Sequence, residues 1–177
     1  MATDTETGTG FSGDGILAVI SGTFVGAILV GLVFQWNAGR NGVRTFGALI
    51  SQPDYGTSWT VLFVLSAFFS ILFVGFVSRS INSFVNQVIM LSRRSEILQQ
   101  LLVPLLERSA LTVTTSSLGL IYGVVLWLVF YAFFIPLWLT FVIGLDVRIP
   151  NLHLAGFFAW VGYGILVGVL YGFIVES

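Results

Sequence analysis

Four long apolar segments alternate with shorter polar stretches along this chain of 177 residues. They cover about residues 15–36, 58–78, 118–145 and 152–175, and their centres hold no Asp, Glu, Lys, Arg or His. A membrane-spanning helix needs roughly 20 apolar residues, and each segment is long enough. The pattern predicts an all-α fold, an integral membrane four-helix bundle that forms a single membrane domain over residues 15–177.

The polar stretches between the segments differ in character. Residues 1–14 are acidic and rich in Thr and Gly, which predicts a disordered tail. The Gly, Asn and Pro residues of 37–58 predict an exposed loop, with Ser58 as the N-cap of the second helix. Apolar positions at helical spacing in 80–108 predict an interfacial amphipathic helical link or, alternatively, an extension of the second span beyond the bilayer.

The third apolar segment is longer than one span requires. We expect it to tilt, or to break near Pro136 with the following residues at the membrane interface. Pro104 predicts a bend or an interruption in the helical link before this segment, and the polar run 112–117 predicts a hinge that supplies its N-cap. The short link 146–151 predicts a tight hairpin between the third and fourth segments.

Small residues recur four positions apart in the apolar segments and form ridges on single helix faces. Such ridges let helix backbones approach closely inside a membrane. The predicted helix-packing residues are Gly22, Gly26, Ser66, Ser70, Gly119, Gly123, Gly164, Gly168 and Gly172. We expect the first segment to face the ridge of the fourth, with the third segment as the next candidate and a second copy of the chain as a competitor.

The two halves of the chain indicate an internal repeat. At an offset of 97 residues, two glycines and one proline of the first half meet residues of the same type in the second half. With one further residue of offset, Ser66 meets Gly164 and Ser70 meets Gly168. This register predicts two helical hairpins, duplicated in parallel orientation about an axis along the membrane normal.

A family resemblance rests on GLIYGVVLW from Gly119 to Trp127 and YGILVGVLYG from Tyr163 to Gly172. With Pro136 and the Pro150-Asn151 pair, these stretches resemble the second hairpin of small four-span membrane proteins of haloarchaea. The resemblance implies a four-span archaeal membrane protein of uncharacterised activity.

Members of that group are often labelled histidine kinases, but this chain holds neither a Gly-rich nucleotide loop nor room for an ATP-binding domain. Many members carry His four residues before the small residue of the second and fourth helices. Those positions are Leu62 and Trp160 here, so a role that depends on that His does not carry over.

Charge and composition narrow the chemistry. Only 8% of residues are charged, the net charge is −1 and Cys is absent, which excludes nucleic acid as a partner and cysteine chemistry as a mechanism. His153 has no second His or Cys near it, so we expect neither a metal nor another cofactor. We interpret Asp146 and Arg148 as a solvated or headgroup-facing pair in the link before the fourth helix.

The basic residues are all Arg, and their distribution predicts the orientation. Arg93 and Arg94 form the densest cluster, on the side that also holds both termini, which places both termini in the cytoplasm. The same two residues are candidates for contact with anionic lipid headgroups.

The residues indicate how the protein packs more clearly than what it does. We expect a multi-pass cell-membrane protein that is not an enzyme and that works by association with itself, with lipid or with a larger membrane complex. A small transporter or channel subunit that acts as a homo-oligomer is the alternative. Proton- and ion-coupled transport normally needs ionisable residues at mid-bilayer, and the apolar segments hold none.

Overall fold

The computed structural model describes the backbone of residues 13–92 and 96–176 and the side chains of residues 13–77 and 111–176. The described residues form helices and short connections. The α-helices are α1 (Gly13–Ala48), α2 (Tyr55–Ser92), α3 (Glu96–Val125), α4 (Ile135–Trp138) and α5 (Leu154–Glu176). Two π-helical stretches, Leu126–Phe134 and Leu139–Ile143, flank α4, so that helical backbone continues from Glu96 to Ile143.

The all-helical prediction is confirmed for the described residues. Four helical stretches are long and apolar enough to cross a bilayer, namely Gly13–Ala48, Tyr55–Val77, Leu111–Ile143 and Leu154–Glu176. They overlap the four apolar segments of the sequence. The helices pack with α3 along α5, α1 along both α2 and α5, and α2 along α3.

The predicted loop 37–58 is wrong for most of its length. Helix α1 kinks at Ala38 and Gly39 and then continues to Ala48, so only residues 49–54 connect it to α2. The kink occurs at Gly39 because its φ of +59° is a conformation that glycine adopts without a steric penalty. After the kink, Val43 and Phe46 lie at helical spacing and are fully buried, which folds this short helical piece back onto the bundle.

Ser58 is not the N-cap of the second helix. Helix α2 begins at Tyr55, and Asp54 caps it by accepting the Thr57 N–H at 2.9 Å. Ser58 lies one turn inside the helix, fully buried, and its hydroxyl donates to the Asp54 carbonyl.

Helices α2 and α3 extend through the region between the second and third segments. The backbone of α2 is helical to Ser92, and α3 is helical from Glu96 across Pro104. The predicted hinge at 112–117 is also wrong, since these residues lie inside α3. Several hydroxyls of that run donate to backbone carbonyls four residues earlier, as Ser116 does to Thr112.

The third segment does not break at Pro136. Helical backbone continues past the proline and ends at Gly144, whose φ is +82°. Proline has no N–H to donate to the Ala132 carbonyl four residues earlier, and the Asn151 N–H fills that place at 2.9 Å. The π-helical turns bond Ile135 back to Phe130, five residues earlier, and so widen the helix where the ring must fit.

Candidate functional site

The closest helix contact in the bundle joins α3 and α5. A methyl group added at Gly164 would lie 2.7 Å from the Gly123 Cα, and one added at Gly168 would lie 3.0 Å from the Ser116 Cα. Real side chains do not tolerate such distances, so the backbones touch here because Cβ atoms are missing. The ridge of α5 therefore faces α3 at these glycines, where the sequence had favoured α1.

The ridge on α1 accommodates side chains instead of backbone. A methyl group at Gly26 would overlap the Tyr163 ring, and one at Gly22 would lie 3.1 Å from the Ser70 Oγ. The added methyl group at Gly26 would also lie 3.2 Å from the Ser66 Oγ. Small residues of α1 thus make room for the Tyr163 ring and for two α2 hydroxyls.

A buried hydrogen-bond cluster joins these helices inside the apolar bundle. The Tyr163 hydroxyl donates to the Ser66 carbonyl at 2.8 Å and lies 2.9 Å from the Ser70 Oγ. The Ser66 hydroxyl donates to the Thr23 carbonyl at 3.0 Å, which ties α2 to α1. The hydroxyl of Tyr122 on α3 donates to the Phe69 carbonyl at 2.8 Å, which ties α3 to α2. All four spanning helices are connected by hydroxyl groups.

An aromatic cluster centred on Trp160 fills the bundle between the hydroxyl cluster and the loop end, the end that holds residues 37–57 and 144–153. Trp160 is only 1% exposed. Its ring packs edge-on against Phe69 at 5.6 Å, Phe130 at 5.4 Å and Tyr163 at 5.8 Å between centroids. Its indole N–H has no partner among the described residues.

The short helical piece after the α1 kink covers this cluster. Phe46 contacts the Trp160 ring at a centroid distance of 6.5 Å and the Phe34 ring at 5.2 Å. Polar contacts fix the piece in place, since the Trp138 indole donates to the Leu49 carbonyl at 2.9 Å. The Tyr55 hydroxyl donates to Gln35 at 2.8 Å on the same side. The interior is therefore closed by side chains at the loop end.

Two apolar grooves lie on the outside of the bundle, both at the loop end. One, of about 450 Å³, runs between α2 and the π-helical stretch and is bordered by Val61, Phe134 and Trp138. The other, of about 440 Å³, runs between α1 and α5 and is bordered by Leu32, Trp36 and His153. Concave surface is thus available on the flank, where lipid or another protein would contact it.

Charged groups of the described chain lie at the ends of the bundle. The Thr57 hydroxyl and N–H hold the pKa of Asp54 below its ordinary value, because both donate to its carboxylate. The Glu176 carboxylate accepts the Leu111 N–H at 2.8 Å and the Thr112 hydroxyl at 2.6 Å, which joins the ends of α5 and the third span. These acids cap or join helices and do not form an acid/base pair.

Potential metal ligands are scattered. No group of three or more His, Asp or Glu residues comes together among the described side chains of residues 13–77 and 111–176. His153 caps α5, since its Nδ1 accepts the Ala155 N–H at 3.3 Å. Arg93 and Arg94, the candidate headgroup contacts, lie outside the residues whose side chains the structure describes, so that role stays a prediction.

Sequence reasoning missed the residues that close the loop end. Val43 and Phe46 were assigned to a loop because Gly and Asn surround them. Their helical spacing, with Gly47 following Phe46, was the available signal. The position of Tyr163 as the junction of three helices depends on distant residues of α1 and α2, which local sequence patterns do not report.

No protein-family model matches this chain, and neither a curated protein nor a solved structure is significantly similar to it. The resemblance to small haloarchaeal membrane proteins therefore stays a prediction.

Proposed function

We propose that this protein is a non-enzymatic structural or accessory component of a cell membrane, and that it works by association. The observation that carries the proposal is the position of the open, concave surface on the bundle. Around Trp160 the interior is filled by aromatic rings and covered by Phe46, whereas two apolar grooves open on the flank. The concave surface available to a partner therefore lies on the outside of the bundle and not in its interior.

The organisation of the small residues supports a rigid scaffold. On α1, Gly22 faces Ser70, and Gly26 faces Tyr163 and then Ser66. On α5, Gly164 faces both Gly119 and Gly123, and Gly168 is the second neighbour of Gly119. Among these contacts, Gly22–Ser70 corresponds to Gly119–Gly168, and Gly26–Ser66 corresponds to Gly123–Gly164, under the offsets found in the sequence. We propose on this basis that the bundle is a duplicated hairpin, with both termini in the cytoplasm.

The experiment is native mass spectrometry of the full chain, extracted from its membrane in a lipid-preserving polymer. We expect a second copy or another membrane protein to be retained in fixed stoichiometry. A monomer that retains neither, together with an ion-gradient-dependent flux in proteoliposomes, would contradict the proposal. Protein-free liposomes are the control for the flux measurement, and an unrelated four-span protein is the control for both measurements.

One observation favours the alternative, a subunit of an oligomeric transporter or channel. The π-helical stretches of the third span contain Trp127 and Thr140, whose side-chain N–H and O–H are buried and lack partners among the described residues. π-Helical turns are frequent at functional sites. The flux measurement above separates the two functions.

A further inference from the structure

The groove between α1 and α5 continues into a polar pocket at the loop end. The groove itself is apolar, with Leu32 and Val33 on one wall and Ala155 and Phe158 on the other. A second concavity of about 390 Å³ is formed by the link from Arg148 through His153. His153 borders both, so the apolar groove and the polar pocket meet at one side chain.

The polar pocket offers an uncompensated positive charge. Arg148 is exposed, and its guanidinium forms neither an ion pair nor a hydrogen bond with the part of the chain that the structure describes. The nearest acid in sequence, Asp146, does not border the pocket. His153 uses Nδ1 as an acceptor, so the neutral ring carries its proton on Nε2 and can donate there. A guanidinium and an imidazole N–H suit the oxygens of a phosphate.

The residues at the rim of the groove indicate how deep the groove lies in the membrane. Trp36 stands at the rim and is 94% exposed, which is typical of the aromatic residues at the level of lipid headgroups. From Trp36 the groove descends to Leu32, four residues or about 6 Å along a helix. Its apolar part therefore lies just below the headgroup level, where acyl chains begin.

We propose that groove and pocket together bind one anionic phospholipid, with its phosphate at Arg148 and His153 and the first part of an acyl chain between α1 and α5. Charge complementarity at Arg148 and the shared border of the apolar groove and the polar pocket at His153 carry the assignment. The proposal deepens the proposed function by naming one partner and rests on the bundle residing in a bilayer.

The test uses the full chain, delipidated in neutral detergent and titrated with phosphatidylglycerol or phosphatidylcholine of identical acyl chains, with bound lipids counted by native mass spectrometry. We expect the first phosphatidylglycerol to bind more tightly than phosphatidylcholine. Arg148→Gln should weaken it about fivefold, the effect of one basic residue near a membrane surface. Arg148→Lys should retain most of the affinity, which also shows that the site tolerates substitution.

Matched variants separate the site from the general surface charge. Arg44→Gln removes the same charge at the same end but borders neither concavity, so it should leave the affinity within about twofold of the wild type. Ala155→Phe fills the groove and should weaken both lipids, whereas Ala67→Phe on α2 should not.

Three outcomes would overturn the lipid site. They are equal affinity for the two lipids, equal loss in Arg148→Gln and Arg44→Gln, and displacement of phosphatidylglycerol by an equal concentration of inorganic phosphate. None of them affects the stoichiometry of retained proteins, so failure of the lipid site is distinguishable from failure of the association proposal.

Discussion

At the scale of single residues, glycine has two different uses in this bundle. Gly164 and Gly168 on α5 meet backbone atoms of α3, whereas Gly26 on α1 meets the ring of Tyr163. In the first case the missing Cβ lets two helices touch, and in the second it makes space for a bulky side chain. Substitution should be costlier at the first kind of site because a backbone cannot rotate away.

Gly168→Leu tests this distinction. The new side chain would collide with Thr115 and Ser116, so we expect α3 and α5 to separate and the protein to lose on the order of 1–3 kcal/mol or more. The measurement is thermal unfolding in detergent. Gly75→Leu on α2 is the matched control, since no atom of the described side chains and no neighbouring helix backbone that the structure describes lies within 4 Å of a Cβ there. Equal melting temperatures for the two variants would show that the α3–α5 contact is not close-packed in solution.

At the scale of elements, what the sequence predicts depends on the range of the interaction. Apolar length is a local property, so the four candidate membrane-spanning helices were predicted from the sequence. The partner of the α5 ridge was not, because the Tyr163 ring and Val167 fill the space opposite α1 and leave α3 to approach most closely. The buried piece around Phe46 was missed because its apolar face is short and lies among polar residues.

The kink in α1 gives an element-scale prediction. Gly39→Ala places a Cβ on a backbone with φ +59° and ψ −150°, a conformation that costs an L-residue about 1–3 kcal/mol. We expect a lower melting temperature, with Phe46 more accessible to quenching or labelling because the buried piece is displaced. Gly75→Ala, in an equally open but regular helix, should instead stabilise by about 0.5–1 kcal/mol. If both substitutions stabilise, the kink is not imposed by Gly39.

The cap of α2 gives a prediction about pH. Hydrogen bonds from Thr57 lower the pKa of Asp54 in the folded protein below its ordinary value of 3.8. A lowered folded pKa contributes stability above the unfolded value that is lost as pH falls through the folded pKa. Asp54→Asn keeps an oxygen acceptor but removes the charge, so its melting temperature should lie below the wild type at pH 7.

That difference should shrink as the pH falls below about 4, since the carboxylate of the unfolded chain is protonated first and that of the folded protein follows as the pH falls through its lowered pKa. Asp146→Asn removes the same charge from a link residue that bonds no described side chain, and it should change the melting temperature less at pH 7. A difference between Asp54→Asn and wild type that stays constant from pH 7 to pH 3 would contradict the charged cap.

At the scale of the whole molecule, the ends of the bundle differ in how charge is arranged. The loop end holds Arg40 beside the Tyr55 ring, Arg44 near Asn41 and Arg148 at the polar pocket formed by the link before α5. On the folded surface, Arg40 lies over an aromatic ring, Arg44 lies beside an amide oxygen and Arg148 lies at an open pocket. At the opposite end lie Gly13 and Glu176, and the sequence prediction assigns Arg93 and Arg94 to the same side.

Basic residues in short links are retained on the cytoplasmic side, and the paired arginines are the densest such cluster. We therefore predict that the end with both termini faces the cytoplasm.

Because the chain contains no cysteine, single-cysteine variants at Asn41 and Ser95 report position without background. In sealed right-side-out vesicles, a membrane-impermeant maleimide should label Asn41→Cys directly and Ser95→Cys only after the membrane is opened. A cysteine placed in the 144–153 link, at Asp146, should behave like Asn41→Cys because both belong to the loop end. Direct labelling of Ser95→Cys with protection of the other two would reverse the orientation, and the anionic lipid at Arg148 would then lie in the inner leaflet.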